Sequence, residues 1–200
     1  IRSRESLKNA VMVQAGMYDD LQTEVDGATQ KLVTPELNAA TCRALEGGYM
    51  STKGTTYVRK SSVYFTDAIA CESFVNETRF HNNLYLAGNY AKAQGKNIQN
   101  DADGVGLMPY QYEYDKSLKV YSMTIDLGMV GKDENFDAEA SPEEKAARIE
   151  YLLRAVETLS LVVKENLDNA EPVYVVGGLS DRKTHYFENV VHVEEDRLIM

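Results

Sequence analysis

Met108–Lys132, MPYQYEYDKSLKVYSMTIDLGMVGK, and Ser141–Lys164, SPEEKAARIEYLLRAVETLSLVVK, together decide the fold class. In the first stretch Tyr110, Tyr112 and Tyr114 alternate with Gln111, Glu113 and Asp115. Further on, Tyr121, Met123, Ile125 and Leu127 alternate with Ser122, Thr124 and Asp126. A period of two predicts two strands, each with one buried face. The second stretch changes period. Ser141 is placed to cap a helix, Pro142 suits its first position, and Glu144 completes a capping box by reaching back. Ile149, Leu152, Leu153, Val156, Leu159 and Val163 then fall on one apolar stripe at helical spacing. Such a helix needs a sheet beneath it, and the two strands before it are the nearest candidates.

Outward from this centre, Ser3 caps a first helix running to about Met17, with Leu7, Ala10 and Val11 inward. From Asp26 to Gly54 the periodicity weakens among Gly27, Pro35, Gly47 and Gly48, as in irregular or inserted structure. Thr55–Phe65 regains strand character. Glu72–Gly106 is rich in Asn, Gly and Ala and reads as a long loop or a second insertion. After Pro172, Val173–Val176 reads as a short strand closed by Gly177 and Gly178, and Tyr186–Val193 as another. The order of helices and strands is that of an α+β, ferredoxin-like βαββαβ fold, provided one more strand precedes the first helix. The expected organisation is one domain over residues 1–200, with candidate insertions at 26–60 and 72–106.

The composition is that of a soluble globular protein: 44% hydrophobic and 26% charged, enough to build a core. No apolar run approaches membrane-spanning length, and IRSRESLKNA does not read as a signal peptide, so the expected location is the cytoplasm. Cys42 and Cys71 lack CxxC spacing and read as free thiols. The formal net charge of −10 is uneven, with +1 over residues 1–60 and −11 over the remaining 140. Acids concentrate in Asp133–Glu144, Glu165–Glu171 and Glu194–Asp196, read as a solvated loop, a helix terminus and a tail. An acidic remainder weakens long-range attraction to a polyanion without excluding a local basic groove.

Catalytic patterns are missing. There is no GxxxxGK[ST], HExxH, GxSxG or paired CxxC, and Gly104-Val105-Gly106 runs into Leu107-Met108-Pro109 rather than a helix. His81, His185 and His192 are the only histidines. No metal site or cofactor is expected from them.

Three basic groups stand out. Arg2, Ser3, Arg4 and Lys8 lie on the first turns of the capped helix, where free backbone N–H groups and guanidinium could take a phosphate; solvated charges beside Glu5 are the alternative. Lys53, Arg59 and Lys60 flank Gly54 and Tyr57 in a strand with a flexible entry. That suits a hairpin tracking a nucleic-acid backbone, or an edge strand protected by charge. Arg182 and Lys183 follow the Gly177-Gly178 turn, where a backbone could approach closely. The tyrosines 110, 112 and 114 could stack bases on an open sheet, but the basic-Gly-aromatic core of the RNA-recognition motif is absent, and packing under the helix fits them better.

Taken in order, IRSRESLKNAV, LEGGYM, SSVYFTDAIACESF, FHNNLYLAG, YEYDKSLKVYSMTIDLGMVGK, SPEEKAARIEYLLRAVETL and PVYVVGG resemble the DevR-type backbone subunit of type I CRISPR Cascade complexes. The resemblance covers most of the chain and is poorest between Gly16 and Ala44. It implies a protein of the repeat-associated mysterious protein superfamily, with a modified RNA-recognition-motif palm and large insertions serving as fingers or thumb. By the resemblance, the palm's first strand is expected ahead of the first helix, and no such strand is read in this sequence. Copies of such a protein polymerise along guide RNA (crRNA) and present it for pairing with target DNA. The other Cascade subunits and a recruited helicase-nuclease are the further partners, in an antiviral defence that leaves cleavage to the nuclease. The resemblance thus implies a non-enzymatic protein whose RNA contacts fall on Arg2, Ser3, Arg4, Lys8, Lys53, Arg59, Lys60, Arg182 and Lys183. Two other readings are a guide-processing ribonuclease of the same superfamily, and a metabolic ferredoxin-like enzyme or ligand-binding module using the Gly177-Gly178 loop.

Overall fold

A computed structural model of the chain describes residues 3–17, 33–52, 54–71, 77–81, 110–114, 117–163, 166–188, 191–194 and 197–199. In chain order these form α1 (Arg4–Gln14), a 3-10 turn (Arg43–Gly47), β1 (Tyr49–Ser51), β2 (Tyr57–Arg59), β3 (Val63–Phe65), β4 (Ile69–Ala70), β5 (Glu77–His81) and β6 (Tyr110–Tyr114). There follow β7 (Lys119–Val120), β8 (Met123–Ile125), β9 (Lys132–Asp133), β10 (Ala138–Glu139), α2 (Pro142–Glu157), β11 (Ser160–Val163), β12 (Asn166–Asn169), β13 (His192–Glu194) and β14 (Arg197–Ile199). The fold is α+β. Its strands pair in small antiparallel sheets, β1 with β2, β3 with β8, β5 with β6, β9 with β10, β11 with β12 and β13 with β14.

The chain divides into two compact units, residues 1–69 with 119–200, and residues 70–118. The smaller unit holds the β5–β6 ladder, in register from Glu77 opposite Tyr114 to His81 opposite Tyr110. Tyr110, Tyr112 and Tyr114 therefore lie in a strand, as their alternation predicts. Their side-chain packing lies outside the described residues.

Among the described residues of the larger unit, α1 and α2 start where their serines predict. Ser3 Oγ accepts from the Ser6 N–H and Ser141 Oγ from the Glu144 N–H, each satisfying a donor that a helix start leaves free. The main core joins the inner face of α1 (Leu7, Val11, Met12) to Val63 and Phe65 of β3 and to Leu152, Ala155 and Leu159 at α2 and beyond. Tyr121, Met123 and Ile125 pack against it from the β8 side.

The stripe on α2 departs from expectation. Its buried members are Arg148, Leu152 and Ala155, while Leu153 is 56% exposed. The helix also stops at Glu157. Thr158 caps it through Arg154 O, and the β-branched run that follows becomes β11, paired with β12. Val173–Val176, expected as a strand, has no regular structure, and Val173 and Val175 are largely exposed. Of the last expected strand, Tyr186–Val193, the described residues Tyr186–Glu188 form a turn, and His192 and Val193 pair within β13.

The region expected to be irregular is well organised from Val33 onward. Val33, Ala39, Cys42, Ala44, Leu45 and Tyr49 form a second core, closed by Tyr57 and Phe136, whose rings lie 4.8 Å apart. Between the cores lies a set of buried charges centred on Glu46. One carboxylate oxygen accepts from the Gly131 N–H (2.6 Å) and from Arg148 (2.8 Å). The other accepts from Arg59 (3.2 Å) and the Ser62 hydroxyl. Arg148 also donates to Ala39 O, Ala40 O and Glu144. Arg59 also donates to Leu45 O, Lys60 O, Met129 O and Lys132 O. Nearby, Asp133 accepts from the Ala39 N–H, the Asn135 N–H and the Tyr49 hydroxyl. Burial, and to a lesser degree Asp133, pushes the Tyr49 phenol up to about 12, which keeps it a donor.

The acidic stretch Asp133–Glu144, expected to be a solvated loop, is therefore structural at both ends. Asp133 is fully buried, and Glu144 takes a bidentate fork from Arg43 (2.7 and 2.8 Å) in place of the expected reach back to Ser141.

Gly48 sits at φ 82° against this network, and a Cβ there would lie 2.8 Å from Ser61 N and 3.0 Å from Arg59 O. Gly16 is at φ 73°, and a Cβ there would meet no atom of the described residues within 4 Å. Gly16→Ala should therefore cost only the left-handed backbone strain, about 1 kcal/mol, and Gly48→Ala at least about 3 kcal/mol, because backbone must move as well. Equal losses of thermal stability in the two variants would contradict this.

The Tyr121 hydroxyl is buried without a hydrogen-bond partner among the described residues. Tyr121→Phe removes that desolvated group and should raise stability by about 1 kcal/mol in a denaturant titration.

The Arg43 fork, followed by Arg148, holds the Glu144 carboxyl down at about 2, against an ordinary 4.5. A depressed acid contributes stability fully above the unfolded value and loses it as pH falls through the folded one. Glu144→Gln should therefore abolish a pH dependence of stability between about 4.5 and 2, worth on the order of 1–3 kcal/mol. Melting curves of the two proteins that stay parallel across that window would disprove the assignment.

Candidate nucleic-acid interface

The nine residues expected to contact RNA fall into different circumstances. Arg2 and Lys53 lie outside the described residues. Ser3 is engaged as the N-cap of α1, and the next residue is engaged too. The Arg4 backbone N–H donates to Asp67 Oδ1 at 2.7 Å, and its guanidinium meets Asp67 Oδ2 at 3.3 Å. The anion held at the start of α1 is thus the chain's own carboxylate, and the Arg4 N–H, followed by the guanidinium charge, lowers the Asp67 pKa. Lys8 pairs with Glu5 at 3.3 Å, three residues back on the same helix.

Arg59 is the clear correction. The alternation of β2 buries its side chain, while Val58 and Lys60 on either side are exposed. All five donors of its guanidinium face groups of the second core and its surrounding turns, so the side chain is part of the interior. Lys60 points out and is exposed.

Arg182 and Lys183 lie on an exposed segment after the Gly177-Gly178 run. Lys183 Nζ is 2.7 Å from Asp126 Oδ2 at the end of β8, and this hydrogen bond and charge raise its pKa. Two residues on, His185 Nδ1 is 2.8 Å from the Thr124 hydroxyl. The basic groups make separate attachments: the start of α1 to Asp67, Lys183 to β8, and Lys60 toward solvent.

Sequence reasoning missed the acids that receive these cations. Asp67 lies just past a strand-like run and Asp126 within an alternating one, and neither carries a local signal of a partner 63 or 57 residues away. It also missed Arg148, although spacing was a usable signal: 148, 152, 155 and 159 share one helical face.

Among the described residues, no group of three or more His, Cys, Asp or Glu side chains could hold a metal ion. No helix of these residues is long and apolar enough to cross a membrane. The buried carboxylates Glu46 and Asp133 are saturated by donors and closed to solvent, an arrangement suited to holding segments together.

Comparison with known proteins adds the family. A search among curated proteins and one among solved structures found no match. The model of the family described as CRISPR-associated negative auto-regulator DevR/Csa2 matches residues 35–196, which include the 3-10 turn, both sides of the β3–β8 sheet, α2 and the Arg182–Lys183 segment. By that match, this chain belongs to the CRISPR-associated DevR/Csa2 family.

Proposed function

We propose that this chain is a non-catalytic, crRNA-binding backbone subunit of a type I CRISPR surveillance complex. Family membership over residues 35–196 carries the reading. In it, the larger unit, which carries α1 and α2, serves as a ferredoxin-like palm, and copies assemble along the guide RNA in the cytoplasm. The guide is then presented to target DNA, and base pairing supplies the specificity. The other subunits and the recruited helicase-nuclease complete the machinery.

The surface chemistry supports a backbone grip of this kind. Lys60 and Arg182 are exposed cations, and phosphate contacts by such residues give affinity without reading sequence. With a formal net charge of −10, attraction to RNA must be local, so few cations should carry much of the salt dependence.

The protein should copurify with a discrete small RNA, and native mass measurement should show oligomers that ribonuclease dissolves. Lys60→Ala and Arg182→Ala should each weaken RNA binding and lower the slope of log affinity against log salt by about 0.7. Arg59→Ala would not test the reading, since it opens the interior. Protein that purifies free of nucleic acid, and shifts no RNA at low salt, would overturn it.

A further inference from the structure

The two faces of the β3–β8 sheet are in different hands. Its register sets Val63 opposite Ile125, Tyr64 opposite Thr124 and Phe65 opposite Met123. Val63, Phe65, Met123 and Ile125 face the core under α1 and α2, so Tyr64 and Thr124 form the outer face. The segment 182–188 lies over that face and is tied to it by side chains. Thr124 Oγ1 donates to Thr184 O (3.3 Å) and meets His185 Nδ1 (2.8 Å), while Lys183 reaches Asp126 (2.7 Å). Within the segment the backbone bonds are short-range: Thr184 N–H to Arg182 O, Tyr186 N–H to Thr184 O and Glu188 N–H to His185 O. They can travel with it. The approach from Val173 to Leu179 is exposed and carries no strand that would have to break.

The ion pair that fastens the segment is unequal. The Asp126 carboxylate is 5% exposed and also accepts from the Gly128 N–H, whereas the Lys183 side chain is 75% exposed. The carboxylate is fixed and the cation can turn to another anion. Tyr64, across the register from Thr124, is 37% exposed on the same face. A phenol ring beside a hydroxyl, with Arg182 and Lys183 hinged alongside, suits an unpaired base and its phosphate.

We propose that residues 182–188 are a latch over the outer face of the β3–β8 sheet, and that single-stranded RNA opens it by drawing Lys183 from Asp126 and stacking a base on Tyr64. The opening half rests on the RNA-binding reading above; the latch itself does not.

The latch is tested without RNA by trypsin nicking at Arg182 and Lys183. Thr124→Val and Asp126→Asn should each speed nicking about twofold to fivefold, the upper part of the range set by one exposed ion pair or its equivalent. Thr124→Val keeps shape and charge, so it decides the matter should Asp126→Asn fail to fold. Unchanged nicking in folded Thr124→Val overturns the latch.

Opening is read with a short oligouridine through the imidazole resonances, of which the three histidines give few. The His185 signal, identified with His185→Asn, should move on RNA addition to its position in Thr124→Val. Tyr64→Ala should weaken oligouridine binding at least about fivefold. RNA that binds while the His185 signal stays put, or binds Tyr64→Ala as well as wild type, overturns the opening and leaves the proposed function standing. No RNA binding by any variant overturns the opening and the proposed function together, and the nicking result still decides the latch.

Discussion

Four segments of the larger unit meet at a carboxylate that cannot reach water. Glu46 is fully buried, and two guanidiniums, one hydroxyl and one backbone N–H surround it. Bringing these charges out of water costs several kcal/mol per ion, so the cluster is not there for net stability alone. What it supplies is registry. Arg59 comes from β2, Gly131 from the turn before β9, Arg148 from α2, and Glu46 from the 3-10 turn, four segments separated by up to 102 residues. Any packing that misaligns one of them leaves an unpaired charge inside, and removal of one partner from such a pair costs about 3–5 kcal/mol. The requirement also explains Gly48, whose missing side chain lets Arg59–Ser61 pass against the turn that carries Glu46.

The same constraint sorts the cations by task. Among the described residues the two buried cations are arginines, whose planar fork can satisfy several carbonyls at once; Arg59 and Arg148 each donate to at least two. Lysine remains outside, at Lys60 and Lys183. On β2 the division falls between adjacent residues, since a strand turns Arg59 inward and Lys60 outward. A list of basic residues therefore overstates the surface available to a polyanion. Likewise a list of acidic residues overstates what faces solvent: Asp133 is buried and Glu144 is held by Arg43 and Arg148.

What could be read from the sequence was whatever is decided within a few residues. The caps at Ser3 and Ser141, the inward Leu7 and Val11, the strand at Tyr110–Tyr114 and the antiparallel-capable run at Met123–Ile125 all depend on local spacing. The failures have a common cause, the partner across the chain. Val173–Val176 has every strand-forming side chain, yet a strand needs a neighbour to bond with, and composition cannot provide one. Leu159–Val163 continues a helical stripe on paper, but pairing with Asn166–Asn169 competes with helix and wins through β-branched residues. Of the candidate contact residues, Lys60, Arg182 and Lys183 are exposed as a binding surface requires, while Arg59 shows the limit of reading charge without burial.

The contrast between the inner and outer sides of β3–β8 follows from these energetics. On the inner side, apolar packing against α1 and α2 adjoins a charge cluster in which no member can be released cheaply. On the outer side, the attachment consists of an ion pair with one exposed partner and hydrogen bonds to a single threonine, interactions worth little individually in water. Segments that must yield to a ligand come from the least stable parts of a structure, because the ligand has only its own binding free energy with which to displace them. In this chain the rigid and the yielding layers are the two faces of one two-stranded sheet, separated by the thickness of a backbone.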